Sequence, residues 1–284
     1  MKTTAKSILK EVIESLHETY DEDESSAIGR VIMEDVIGVP AYQLPLNPKV
    51  ELSDNEETIL LNAVARLKNH EPVQYVTGKC HFYGRVFKVN PSVLIPRPET
   101  EELVGLVIDR HKDQDDLRVV DIGTGSGCIA ISLAAELQTA QVLAVDISDA
   151  ALAIANENAK LNSVLIKTEL LDATSQSLPT AQFDIIVSNP PYITDAERQL
   201  MHENVLAHEP GLALFVPNED PLKFYAHIAQ QSQHALAHGG WVYCEINEHF
   251  GAETVALFKQ HGYQNVELHR DMQGKDRMVS CQKL

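Results

Sequence analysis

Asn189-Pro190-Pro191-Tyr192 closes the apolar run Phe183-Asp184-Ile185-Ile186-Val187, whose length and β-branched content suit a buried parallel strand. An asparagine side-chain oxygen and the Pro190 carbonyl can together accept both hydrogens of a flat NH2 group. Proline fixes its own φ and restrains the residue before it, so these acceptors are held before a ligand arrives. Tyr192 can lie against the face of the same planar group. Such a clamp suits an amide or an exocyclic amine, and the chemistry it implies is on nitrogen. Asn-Pro-Pro is also a common way to end a strand and open a turn without any ligand. A second motif upstream shifts the balance toward the clamp.

That motif is the loop Gly123-Thr124-Gly125-Ser126-Gly127, set between a short apolar strand, Leu117 to Ile122, and a helical stretch, Cys128 to Leu137. Alternate glycines let the backbone turn sharply and approach a ligand closely. A second strand, Gln141 to Val145, ends in Asp146, where a carboxylate suits the two hydroxyls of a ribose. The dinucleotide fingerprint spaces its glycines G-x-G-x-x-G, with a helix N-terminus left to receive pyrophosphate. Here the spacing is G-x-G-x-G, and Asp121 stands two residues before the first glycine. An acid there repels a diphosphate and suits an ammonium and a sulfonium. S-adenosylmethionine is such a ligand. A third strand, Lys167 to Leu171, ends in Asp172, whose carboxylate can accept from an adenine amino group, with Ala173 beside the ring. Each acid alone can equally be a helix cap; three at successive strand ends, with a glycine loop, are harder to dismiss.

With these residues in view, the chain resembles a class I S-adenosylmethionine-dependent methyltransferase, and within that class the PrmC/HemK family of peptide-chain-release-factor glutamine methyltransferases. The carriers are Glu71-Pro72-Val73-Gln74-Tyr75, Leu94-Ile95-Pro96-Arg97-Pro98-Glu99-Thr100-Glu101, Asp121 to Gly127, Ser188 to Ile193, His208 to Leu214 and Gly274-Lys275-Asp276-Arg277. The resemblance implies methyl transfer to the side-chain amide nitrogen of the glutamine in the Gly-Gly-Gln motif of class I release factors. It places Gly123, Thr124, Gly125, Ser126, Gly127, Asp146, Ala173 and Asn189 on the cofactor, and Asn189, Pro190, Pro191 and Tyr192 on the substrate glutamine. One departure is Ala173-Thr174-Ser175, where some members carry an aromatic near the adenine. Three rivals stay open: a glutamine methyltransferase of a large-subunit ribosomal protein, an adenine-N6 methyltransferase of nucleic acid, and a non-catalytic adapter that only binds the cofactor.

Composition narrows these. The formal net charge is −18, and nucleic-acid binders draw most of their affinity from lysine and arginine against phosphate. The charge therefore argues against direct nucleic-acid binding and favours encounter with a basic protein. Four scattered cysteines without a C-x-x-C pair suit reduced residues of a cytoplasmic protein. Twelve histidines lack metal-ligand spacing, and no metal is expected. No run of 18 apolar residues is present, so no membrane span is expected; nor is a signal peptide. A monomer is the expected state.

These motifs need a frame. We expect an α/β fold with a seven-stranded Rossmann-like class I methyltransferase sheet. That sheet should be mostly parallel with an antiparallel C-terminal hairpin, and a small N-terminal helical domain should accompany it. The expected boundaries are a helical substrate-recognition domain at 1–74, a β-hairpin linker at 75–95 and the methyltransferase domain at 96–284. In the first of these, Ile8, Val12, Ile13 and Leu16 share one helix face, and Ala27, Val31, Ile32 and Val36 a second. A capping box at Ser53-Asp54-Asn55-Glu56 opens a third helix with Ile59, Leu60, Ala63, Val64 and Leu67 inward. The short connection between strands near 266–270 and 277–282 permits only an antiparallel pair.

Overall fold

A computed structural model describes residues 2–178 and 182–284. They divide into two compact units, one of Met1–Lys79 with His202–His208, the other of Cys80–Met201 with Glu209–Leu284.

The first unit is built on three helices, Ala5–Leu16, Glu22–Asp35 and Asp54–Lys68. Ile8, Val12 and Leu16 are buried as their spacing predicts, with Ala5 beside them. On the second helix the buried face is Ser25, Ile28, Gly29, Ile32 and Met33, rotated from the expected one. Gly29 explains the rotation: a Cβ there would stand 2.9 Å from Ile13 Cγ1 and 3.0 Å from Leu9 Cδ1, so its missing side chain lets the two helices close together. The capping box forms, with Ser53 N donating to Glu56 Oε2 at 2.8 Å and Glu56 N to Ser53 Oγ at 3.3 Å. Of the residues expected inward on that helix, Ala63 and Leu67 are buried, while Ile59 is exposed.

The second unit holds a seven-stranded sheet: β1 (Arg118–Ile122), β2 (Gln141–Asp146), β3 (Lys167–Leu170), β4 (Phe183–Ser188), β5 (Leu236–Glu245), β6 (Gln264–Arg270) and β7 (Asp276–Gln282). Their spatial order is β3-β2-β1-β4-β5-β7-β6. The five strands from β3 to β5 pair in parallel, and β7 runs antiparallel to both β5 and β6. β5 starts at Leu236, with an irregular register before Trp241.

Both faces of the sheet are covered, which is why its central strands read as unbroken apolar runs rather than alternating ones. Val119, Ile185, Val187 and Tyr243 face one side, packed with Leu103, Val104 and Val107 of the helix Pro98–His111 and with Ile129, Ile131 and Leu133 of Cys128–Glu136. Val120, Ile186, Val242 and Cys244 face the other, against Tyr225, Ile228 and Ala229 of the helix Lys223–Ala235 and Phe258 of Gly251–Gln260. Burial of each such aliphatic side chain contributes about 1.5–3 kcal/mol before the entropy of ordering it. Phe82 and Phe87, from the two-stranded ribbon Lys79–Phe82 and Arg85–Lys88, lie in the first of these clusters. Asn158 fastens the ribbon through both its amide atoms, to Lys88 N at 2.6 Å and Lys88 O at 3.0 Å.

The register sets the chemistry. β1 and β4 end side by side, with Ile122 opposite Ser188, and Asp146 of β2 lies opposite Leu170 of β3. The glycine loop, Asp146, Asp172 and Asn189 therefore all leave the sheet at its carboxyl edge, where open α/β sheets bind ligands.

Candidate active site

At that edge lies a cavity of about 530 Å³, lined by Gly123, Thr124, Gly125, Ser126, Asp146, Asp172, Ala173, Asn189, Pro190 and Pro191 among others. The loop that opens it is held by the neighbouring strand. Gly123 N and Thr124 N both donate to Val145 O, at 2.9 and 3.0 Å, and Gly125 N donates to Asp146 Oδ2 at 2.8 Å. Gly127 closes the loop with φ +80°, and a Cβ there would stand 3.0 Å from Ile131 Cδ1 and 3.1 Å from Ala155 Cβ. Only glycine meets both demands.

The three acids differ in what they do. Asp146 accepts from Gly125 N and from Ser148 N at 2.9 Å. Burial raises its carboxyl above the usual aspartate range against the pull of those bonds. Two bonds leave lone pairs on both oxygens. Asp172 is more fully engaged: Oδ1 takes Thr174 N at 2.9 Å and Thr174 Oγ1 at 2.7 Å, and Oδ2 takes Ser175 Oγ at 2.7 Å. Those bonds hold its carboxyl below the usual range. Its carboxylate caps the turn that carries Ala173, while the residue itself lines the cavity.

Asp121 is fully buried under the loop and does not line the cavity. Its Oδ2 accepts from Thr124 Oγ1 at 2.7 Å and from Ala130 N at 3.2 Å, while Oδ1 has no protein partner. Burial pushes this carboxyl up to about 7, with the nearby Asp146 charge adding to the rise. Folding thus favours its protonated form, and the stability this group contributes is full below its unfolded value of 3.8 and is lost as pH rises toward about 7. Asp121→Asn keeps an oxygen for Thr124 and Ala130 and removes the titration. Thermal melts from acid to neutral pH should lose this falling limb in the variant; an unchanged limb would assign it to another group.

At the clamp, Asn189 Nδ2 donates to Thr100 Oγ1 at 3.1 Å. Thr100, in the first turn of the helix Pro98–His111, donates in turn to Glu245 Oε2 at 2.6 Å. Tyr192 turns its hydroxyl to the other oxygen, Glu245 Oε1, at 2.9 Å, and its ring packs on the core cluster behind the cavity rather than lining it. Asn247 Nδ2 holds Tyr192 O at 3.0 Å and also reaches Glu197. Across the cavity, Arg97 pairs with the buried Glu209 at 2.6 Å, and Glu209 Oε2 also accepts from Ile95 N at 3.3 Å. That ion pair joins the Pro96-Arg97 wall to the wall formed by Pro210, Leu212 and Ala213.

Two family models match this chain, the PrmC N-terminal domain over residues 7–78 and the methyltransferase small domain over residues 104–211. A release factor glutamine methyltransferase of Bacteroides thetaiotaomicron is 42% identical over 271 residues, covering 95% of this chain and 97% of that one. The chain belongs to the release factor glutamine methyltransferase family. Another member, from Flavobacterium psychrophilum, is 42% identical over 277 residues, covering 94% and 95%. A solved methyltransferase of Pyrococcus furiosus shares the fold with a TM-score of 0.53 at 15% identity, over 81% of this chain and 99% of that one.

Within this member of the family, sequence reasoning left Thr100, Glu245, Asn247 and the Arg97–Glu209 pair without roles at the site. Glu245 carried a usable signal. It is the one charged residue in the run Trp241 to Ile246, and like Asp121, Asp146 and Asp172 it stands at or just beyond the carboxyl end of a strand. Thr100 was visible only as a member of the Leu94–Glu101 motif. Its pairing with a residue 145 positions away follows from the fold alone.

Proposed function

We propose that this chain methylates the side-chain amide nitrogen of the Gly-Gly-Gln glutamine in class I peptide chain release factors, drawing on S-adenosylmethionine. The observation that carries the reading is a single cavity lined both by the glycine loop with Asp146 and by Asn189-Pro190-Pro191. Its volume is in the range of small-molecule sites.

The residues present fit that cofactor. Asp146 offers free acceptor capacity to ribose hydroxyls, Ala173 and Ile147 offer apolar surface to a base, and the Gly123–Ser126 backbone leaves room for close approach. A cationic ligand above the loop would draw the buried Asp121, whose Oδ1 is unpartnered, toward its ionised form, against the burial that favours its protonated one. When bound, S-adenosylmethionine supplies the methyl group.

The chain's own part is to hold the glutamine. A carboxamide nitrogen is a feeble nucleophile because its lone pair is delocalised into the carbonyl. Asn189 Oδ1 and Pro190 O, accepting its two hydrogens, fix the orientation of that nitrogen and stabilise the positive charge that develops on it. The proton released afterwards passes to water. We place the helical first unit, residues 1–74 in particular, as the part that recognises the release factor; its match to the PrmC N-terminal domain supports this. No helix among the described residues is long and apolar enough to cross a membrane, and we place the reaction in the cytoplasm, with the enzyme acting as a monomer.

The test uses radiolabelled S-adenosylmethionine with four acceptors side by side: a class I release factor, the same factor with its Gly-Gly-Gln glutamine replaced, large-subunit ribosomal protein and DNA. Label is expected on the first alone. Label on ribosomal protein or DNA, with the release factor bare, would overturn the assignment.

A further inference from the structure

Resting on the clamp reading of Asn189, we propose that Thr100 and Glu245 are positioning residues that set which end of the Asn189 amide faces the substrate. An asparagine side chain can present either an oxygen or an NH2 group after a half-turn about its last bond, at little cost in shape. Only the oxygen can accept from a glutamine NH2. With the NH2 end forward, two donors face each other and the clamp fails.

The structure contains a device that chooses between them. Glu245 is fully buried at the end of β5. As a carboxylate it has acceptors only, so the Thr100 hydroxyl must donate to it, at 2.6 Å. A hydroxyl that has spent its single hydrogen can only accept from its other neighbour. That neighbour is Asn189, which must therefore turn Nδ2 toward Thr100, at 3.1 Å. Oδ1 is left as the other end of the amide, on a residue that lines the cavity together with Pro190. The polarity of the chain of bonds runs Asn189 to Thr100 to Glu245, and the fixed end is the buried charge.

The same carboxylate sets the rest of the loop. Its second oxygen accepts from the Tyr192 hydroxyl at 2.9 Å, so the first and last residues of Asn189-Pro190-Pro191-Tyr192 are both tied to Glu245, one through Thr100 and one directly. Burial raises the Glu245 carboxyl, and the hydroxyls of Thr100 and Tyr192, followed by the charge of Arg277, itself held by Asp271 at 3.1 Å, oppose that rise and favour the carboxylate. A buried carboxylate with one hydroxyl on each oxygen has its strongest acceptor directions filled, which offsets part of the desolvation it suffers. Its placement is costly unless something depends on its polarity, and the Asn189 amide does.

The test removes the hydroxyl while keeping the shape. Thr100→Val is expected to lower kcat with a release factor by about 100-fold, the scale of a misplaced reacting group. The dissociation constant of S-adenosylmethionine, measured by calorimetry, should stay unchanged. Thr100→Ser, which restores the donor and acceptor, should recover most of the lost rate. In an Asn189→Ala background Thr100→Val should cost nothing further, because the two act as one unit. Binding of a Gly-Gly-Gln peptide to the complex with S-adenosylhomocysteine should weaken in Thr100→Val, without reference to turnover. If the valine variant does not fold, Thr100→Ala carries the same expectations. Wild-type kcat in Thr100→Val beside an inactive Asn189→Ala would overturn the relay and leave the clamp standing. An active Asn189→Ala would bring down both. Equal losses in the valine and serine variants, or a matching loss of cofactor affinity, would reduce Thr100 to a packing residue and overturn the proposal.

Discussion

Asn189→Ala should lower methyl transfer by about a thousandfold while cofactor affinity changes little. The size follows from what the side chain supplies: one of two preorganised acceptors for the substrate NH2, and removal of a single such partner costs about 10²–10³ in rate. The loss of orientation adds to it, because Pro190 O alone leaves the carboxamide free to pivot. The expected spectrum of effects is specific. Alanine leaves Thr100 Oγ1 without a donor, a minor penalty for an oxygen already bonded to Glu245, so the fold and the Gly123–Gly127 loop should persist. Single-turnover rates with saturating cofactor, beside calorimetry with S-adenosylmethionine, separate the two quantities. Turnover near wild type would remove Asn189 from the chemistry. A parallel collapse of cofactor binding would recast it as a cofactor ligand only.

How much of this was legible in the chain can be judged residue by residue. The parallel strands were, since Val119-Val120, Ile185-Ile186-Val187 and Val142 to Val145 are buried on both faces and so have no polar partner positions to confuse their period. The glycine loop was, because its positive φ values at Gly123, Gly125 and Gly127 demand that residue type. The second helix of the first unit was misread for the opposite reason. Ala27 and Val31 are as apolar as the residues that replace them in the core, and nothing local announces that Gly29 admits Leu9 and Ile13 so closely. Asp172 shows the limit for single acids, since the turn it caps with Thr174 and Ser175 was as readable as a ligand contact, and both use the same carboxylate. Tyr192 shows the limit for single aromatics. Its type announces a planar face and says nothing of the partner that takes its hydroxyl, Glu245, a residue 53 positions further along. Local pattern carries backbone geometry well, and it carries side-chain polarity poorly, because the partner that fixes polarity arrives from another strand.

Asp146→Ala should weaken S-adenosylmethionine binding by about two orders of magnitude or more, as two effects act together. Each hydrogen bond from a ribose hydroxyl to a carboxylate contributes about 1.5–3 kcal/mol, and loss of two reaches that scale without further help. The same substitution also frees Gly125 N, bonded to Asp146 Oδ2 at 2.8 Å, and Ser148 N, bonded to Oδ1 at 2.9 Å, so the glycine loop loses one of its ties to β2 before any ligand arrives, while those of Gly123 N and Thr124 N to Val145 O remain. Asp146→Asn separates these contributions, because its one oxygen can serve Gly125 or Ser148 but not both, and its NH2 must then face an N–H donor. It should bind more weakly than a simple loss of charge predicts. Asp172→Ala is the contrasting control: its carboxylate is already taken by Thr174 and Ser175, and its affinity loss should be the smaller. Acid should imitate the Asp146 effect. Burial raises that carboxyl, so the acceptor form is lost on lowering the pH sooner than for an ordinary aspartate, and cofactor affinity should fall through that higher window. Calorimetric titration of wild type, Asp146→Ala, Asp146→Asn and Asp172→Ala across acid pH measures all of this at once. Equal affinities for wild type and Asp146→Ala, or a larger loss in Asp172→Ala, would move the ribose contact away from β2.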